Sequence, residues 1–315
     1  MAGSFGHNSL LDRGRRLIKE SFLLSKEFGF GYSASYFFHK AICRGAMYKT
    51  RLKAINLLRK EFTYVLGKYV DKNAGVYSPN LERNIFVFWY DGFEKAPAFI
   101  IENIKLMQLF FPDYKLFKLD KNNYKEFAQL DSNLICLFEK GNISIQTFSD
   151  ILRFYLLGKY GGFWIDATIR FFQREELMER LEKNGFYSLN CEFPLKHITW
   201  DQVIPNMKYS TFFLGSIKNN PIMNAAYELY VNYYSKHSIA IDYLMTDYFL
   251  LLIREKKLGQ DALNNVEPHS GSPIYLLECL QKKRAPLLSE CVKCPQKLNW
   301  RIKECNEKFD IVKDI

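Results

Sequence analysis

The sequence predicts an α/β fold, a sheet of largely parallel strands crossed by helices, behind a basic helical extension. Three observations carry this. From about residue 84 onward, short apolar and aromatic runs alternate with longer segments at helical spacing. The 315 residues are 48% hydrophobic and 16% aromatic, enough for a large core and unlike a disordered chain. Charge is also uneven: the formal net charge is +10, yet residues 1–70 hold 13 Lys and Arg against 4 Asp and Glu. The near-neutral remainder argues against a nucleic-acid-binding domain, and no nucleic-acid module is recognisable. The basic segment suits an anionic surface instead.

Taken in order, residues 1–80 read as the extension, 81–280 as the α/β unit and 281–315 as a tail or cap. Within the first, "LLDRGRRLIKESFLLSKEF" and "RLKAINLLRKEFTYVLGKYV" keep helical spacing, the second with Leu52, Ile55, Leu58, Phe62, Val65 and Leu66 on one side. Two readings stay open for these helices: packing on the domain behind them, and peripheral contact with an anionic membrane. "NAGVYSPN" is a turn-rich boundary. "NIFVFWY" then reads as a buried strand, "APAFIIENIKLMQLFF" as a helix with Pro97 near its first turn, and "YKLFKLD" as a second strand. "NNYKEFAQL" has helical spacing. "ISIQTFSDILRFYLLGKY" is a further helix, closed by Gly161-Gly162, and "FWIDATI" a strand. "GFYSLN" and "STFFLGSI" add strands; "IMNAAYELYVNYYSK" and "IDYLMTDYFLLLIREKK" add helices. The polar 281–315 segment caps the domain or frays.

Seven Cys, an odd number, follow a start without an apolar signal region, which points to reduced thiols in the cytoplasm. Cys291-Val-Lys-Cys294 is a lone pair without a regular second pair for zinc. No run approaches the roughly 18 apolar residues of a membrane span.

The chemistry concentrates in "SDILRFYLLGKYGGFWIDATI", Ser149–Ile169. Asp150 and Arg153 are one helical turn apart near the helix start, where Ser149 or Thr147 can cap it. Burial requires them to be paired, either as an ion pair at the domain edge or facing a polar pocket. Asp166 directly follows an apolar strand, where open α/β sheets bind ligands. A carboxylate there suits a ribose hydroxyl or a hard cation such as Mg²⁺ or Mn²⁺. Gly161-Gly162 permits a sharp reversal and close approach by another group, which adds Gly162 to the ligand-binding candidates.

This segment resembles the capsular polysaccharide synthesis glycosyltransferases, a family grouped with yeast-type mannosyltransferases and sharing its pattern with the sugar-transferring clostridial toxins. The likeness extends through "NIFVFWYDGFEKAPAFI", "TFFLGSIKNNPIMNAAYELYVNYY" and "IDYLMTDYFL", roughly residues 82–270. It implies a GT-A type, Rossmann-like nucleotide-sugar-binding fold whose D-x-D motif is here Asp166-Ala167-Thr168, with Thr in place of the final acid. By the same resemblance, Asp150 and Arg153 hold hydroxyls of the donor sugar. Phe88, Trp89 and Tyr90 meet the base and ribose, although one or two of these aromatics also suit the core. A divalent metal, Mn²⁺ or Mg²⁺, would take Asp166, Thr168 and, as a distant candidate, His269. Asp247 is the candidate for acceptor contact, against an ordinary polar helix residue.

The implied activity is hexosyl or N-acetylhexosaminyl transfer from a nucleotide diphosphate sugar to a capsule, O-antigen or similar glycan, with retention. Metal would neutralise the leaving diphosphate, and the anomeric carbon becomes oxocarbenium-like. The acceptor would be a glycan or lipid-linked oligosaccharide at the inner face of the cytoplasmic membrane. The alternative is a non-catalytic scaffold of glycan assembly on the same fold, which Thr168 motivates.

Overall fold

A computed structural model describes residues 10–70, 81–189, 209–267 and 269–307. The boundary expected at Asn73–Asn80, Cys191 and residues 308–315 of the tail lie outside the described residues.

The basic segment forms three helices, α1 (Leu10–Phe28), α2 (Phe30–Ala41) and α3 (Met47–Leu66). Gly29, at φ 81°, makes the tight break between the first two. Helix α3 buries Ile55, Leu58, Phe62, Val65 and Leu66 as its spacing predicts, but Leu52, expected on the same side, is exposed. Next come β1 (Asn84–Phe88), α4 (Ala98–Phe110), β2 (Lys115–Leu119), α5 (Tyr124–Phe127) and α6 (Ser132–Glu139). The helix expected at 122–130 is only the single turn α5. Helix α6, which the sequence reading misses, starts where the Asp131 carboxylate accepts from the Asn133 and Leu134 amides.

Helix α7 (Ile145–Tyr160) leads into β3 (Gly162–Ile165) and the short β4 (Ile169–Arg170). Then follow α8 (Leu177–Asn184), β5 (Phe186–Ser188), β6 (Phe213–Ser216), α9 (Pro221–Lys236) and α10 (Met245–Glu255). Five small elements close the chain: α11 (Leu258–Asp261), α12 (Tyr275–Gln281), α13 (Leu288–Cys291), β7 (Gln296–Lys297) and α14 (Lys303–Glu307).

The main sheet has the order β2-β1-β3-β6-β5. Strands β2, β1 and β3 are parallel, as strand–helix alternation predicts, whereas β6 runs against both β3 and β5. Composition marks a strand but not its direction, so this reversal was not readable. Side chains alternate across the sheet. Ile85, Val87, Phe163 and Ile165 enter the core shared with α4 and α8; Phe86, Phe88 and Trp164 enter the one shared with α7, α9 and α10. Burial on both faces explains why these strands are apolar at every position.

The N-terminal helices share the second core. Tyr32 donates to the Ile241 carbonyl at 2.9 Å, Arg59 bridges Glu255 at 2.7 Å, and the Ser238 amide donates to Glu27 at 3.1 Å. Packing on the domain therefore accounts for the inner side of these helices. At the other end, 281–307 does more than cap. Strand β7 pairs antiparallel with β4, Lys297 opposite Ile169, and its Gln296 side chain is fully buried, accepting from the Leu276 amide and donating to the Ser272 and Cys294 carbonyls.

Candidate active site

The side-chain parity of β3 explains how the site assembles. Asp166 follows the strand in register with Trp164, so it emerges on the α7 side of the sheet. The Trp164 indole Nε1 donates to Asp166 Oδ1 at 2.9 Å. Helix α7 runs along this face and is capped by Ser144, whose hydroxyl accepts from the Thr147 amide at 3.1 Å. The cap thus lies earlier than the expected Thr147 or Ser149, and Asp150 and Arg153 sit in the second turn and beyond. They face β3 together.

Arg153 is the centre of this group. Its guanidinium, 5% exposed, pairs with Asp150 Oδ1 at 3.0 Å and with Asp166 Oδ1 at 3.4 Å. It also donates to the Thr211 carbonyl and lies over the Trp164 ring at 5.1 Å. Asp150 Oδ2 accepts from the Thr246 hydroxyl at 2.6 Å, and Thr246 in turn meets the Tyr230 hydroxyl. An intrahelical ion pair is therefore only part of the arrangement: the arginine links two carboxylates from two elements, and a third element, α10, orients one of them.

Lys297, which the sequence reading did not single out, completes the group. Its ammonium donates to Asp166 Oδ2 at 2.6 Å and lies 5.0 Å from the Phe212 ring centre. It is 131 positions from Asp166, and the only local signal was a short alternating run after Pro295. The loop carrying Asp166 is pinned on several sides. The Asp166 amide donates to the Phe212 carbonyl, Asn103 donates to the Ala167 carbonyl, and the Leu298 amide donates to the Thr168 carbonyl.

The electrostatics follow from this geometry. Burial pushes the Asp166 carboxyl up, but Lys297 and then Arg153 outweigh it and hold the group below its ordinary value. Burial raises Asp150, against the pull of Arg153 and Thr246. Asp247, half-buried on the first turn of α10, is pushed up to about 7 by burial and by the Asp150 charge, which outweigh Arg153.

The remaining expected residues distribute unevenly. Phe88 is a core residue, packed 6.4 Å from Trp164 and 6.2 Å from Phe148. Trp89 and Tyr90 are half-buried at the carboxyl end of β1; Trp89 meets the Trp300 ring edge-on at 5.9 Å and Tyr90 meets Phe138. Gly162 opens β3 and packs against β1. At φ 97°, a Cβ there would lie 2.5 Å from the Asn84 carbonyl oxygen, so β1 is the group that approaches it. His269 is buried against Tyr187 at 2.9 Å, on the opposite side of the sheet from Asp166. Burial and then the Arg180 charge push it down to about 4.

The residues present do not fit a divalent cation. Both Asp166 oxygens already accept from cationic or N–H donors, the next acid is replaced by Thr168, and His269 is elsewhere. No group of three or more metal-ligating side chains converges among the described residues. A 2+ ion on Asp166 would share the carboxylate with the Lys297 ammonium, 2.6 Å from Oδ2, and the like charges would repel. Of the expected Asp166, Thr168 and His269 set, the first two lie together at the end of β3 and His269 lies on the other side of the sheet. One observation does favour a bound group of another kind: the Thr168 hydroxyl is buried with no hydrogen-bond partner among the described residues.

The model of the capsular polysaccharide synthesis protein family matches residues 35–309, most of the chain and wider than the 82–270 likeness read from motifs. Among solved structures, the glycosyltransferase PaToxG superposes with a TM-score of 0.41 at 17% identity, covering 68% of this chain and 82% of that one. No curated protein matches. The chain belongs to the capsular polysaccharide synthesis family, and its central sheet is of the mixed α/β kind with parallel β2, β1 and β3. Membership places the chain in capsular polysaccharide synthesis.

Proposed function

We propose that this chain is a retaining glycosyltransferase that moves a sugar from a nucleoside diphosphate sugar to a growing capsule-type glycan. The observation that carries this reading is the Asp150–Arg153–Asp166 group at the carboxyl end of β3, within a chain of this family. Strand carboxyl ends are where α/β sheets bind nucleotides. Asp150 and Arg153 are oriented before any donor arrives, by Thr246 and by the Thr211 carbonyl. Hydrogen bonds from such fixed groups to ring hydroxyls place the anomeric carbon without proton transfer. Trp89 and Tyr90 flank the same end of the sheet and serve the base and ribose. Asp247 meets the acceptor, a glycan or lipid-linked oligosaccharide, and the exposed face of α1 and α2 rests on an anionic membrane. The transferred unit is a hexosyl or N-acetylhexosaminyl group.

The test is a transfer and hydrolysis assay over a panel of nucleoside diphosphate sugars. Asp150→Ala is expected to lower turnover by at least about 100-fold through lost positioning, and NMR of the product's anomeric proton reads the stereochemistry. An Asp150→Ala variant as active as the parent would sink the site assignment. Thr168 in the last motif position favours a second reading, a non-catalytic scaffold of glycan assembly; that reading predicts no turnover and no stabilisation by any nucleoside diphosphate.

A further inference from the structure

A leaving diphosphate carries charge that the protein must neutralise at the moment the glycosidic bond breaks. The motif that usually gathers a metal for this holds one acid here, and that acid is already neutralised. We infer that Lys297 is the resident cation of this site, and that the chain binds nucleoside diphosphates through it without a divalent metal. The inference rests on the transferase reading and deepens it.

Four features support it. The Lys297 ammonium lies 2.6 Å from Asp166 Oδ2, at the end of the strand where the diphosphate would lie. Its backbone is held on both sides: the Lys297 amide donates to the Pro273 carbonyl at 2.5 Å and the next amide to Thr168 at 2.9 Å. The neighbouring Gln296 is bolted into the core by its own hydrogen bonds, so β7 presents the ammonium from a fixed strand. Immediately before β4, the strand paired with β7, the Thr168 hydroxyl has no hydrogen-bond partner among the described residues and can donate to a phosphate oxygen. Asp166 then acts as a positioning residue that holds the ammonium until the diphosphate shares it.

In the reaction, the bond from the anomeric carbon to the β-phosphate oxygen breaks, its electron pair leaving with the diphosphate. The acceptor oxygen bonds to the anomeric carbon on the same face. The acceptor's proton passes to the departing diphosphate oxygen. Lys297 stabilises that oxygen's charge and is unchanged at the end.

Isothermal titration of the full chain with UDP, GDP, CDP and ADP tests this without relying on turnover. The best-binding diphosphate is expected to bind in EDTA within about threefold of its affinity in Mn²⁺. Lys297→Met is expected to bind it at least about tenfold more weakly in EDTA, and Lys297→Arg to keep most of the affinity. Near-ultraviolet circular dichroism reports whether Lys297→Met folds, and the wild-type comparison stands without it. Binding by the wild type that needs Mn²⁺, or a folded Lys297→Met that binds in EDTA as the parent does, overturns the inference while leaving the transferase reading intact. Absence of binding by all four diphosphates in both conditions overturns both.

Discussion

Asp247 illustrates how a single side chain records its surroundings. Partial burial and the Asp150 charge push its carboxyl up to about 7, from the ordinary Asp value of about 4. Between these pH values the folded state keeps a proton that the unfolded chain has released. The stability this provides is complete below about pH 4 and is lost as pH rises through about 7, with an upper bound of about 4 kcal/mol. His269 works in the opposite sense. Its folded value is depressed to about 4, so its contribution is present above the ordinary histidine value and is lost as pH falls toward 4. The wild-type profile superimposes the two, and only a difference separates them. Asp247→Asn is expected to match the parent's melting temperature near pH 4 and to exceed it increasingly up to pH 8. Thermal melts across that range check this; a constant offset would mean that Asp247 ionises normally.

At the scale of elements, two joints define the site: the Gly161-Gly162 turn and the β4–β7 pair. The first is steric. A Cβ at Gly162 would meet the Asn84 oxygen at 2.5 Å and the Asn84 Cβ at 2.8 Å, at a φ of 97°. Gly162→Ala should therefore cost about 3 kcal/mol or more, since strand β1 must move as well as the backbone strain. Gly141, at φ 77° with open space around it, is the control, and Gly141→Ala should cost about 1 kcal/mol. Urea midpoints distinguish the two, and equal losses would remove the packing explanation. The two joints differ in how readable they were. The turn announces itself as a Gly pair between a helical and an apolar run, and helical spacing put Asp150 beside Arg153. The β4–β7 joint is two residues long and joins segments far apart in sequence. Nothing local marks Lys297 as an Asp166 partner, just as nothing in "STFFLGSI" marks β6 as reversed. Both depend on which strands meet, and that is decided by the assembled core.

The whole molecule is asymmetric, and the asymmetry has a physical direction. Of the large apolar side chains exposed among the described residues, seven fall between Ile18 and Ile42: Ile18, Phe22, Leu23, Phe30, Phe37, Phe38 and Ile42. Helical spacing aligns Ile18 and Phe22 with Arg15, Lys19 and Lys26, and the Lys26 ammonium sits 4.5 Å from the Phe22 ring centre. The inner residues Tyr32, Ser33 and Tyr36 are buried on the opposite side of α2. No described helix is long and apolar enough to cross a membrane. An exposed aromatic and aliphatic face within a strongly basic segment is what an anionic bilayer surface takes up: rings enter the interface while lysines meet headgroups. The full chain is expected to cosediment with vesicles containing phosphatidylglycerol, to bind weakly to purely zwitterionic ones, and to be released as salt rises. Replacing Phe30 and Phe38 together by Ser, the former 79% exposed, should weaken that binding at low salt by about tenfold or more and leave the melting temperature unchanged, since neither ring is in the core. Binding that ignores lipid charge, or that survives the double substitution intact, would assign this face to another partner.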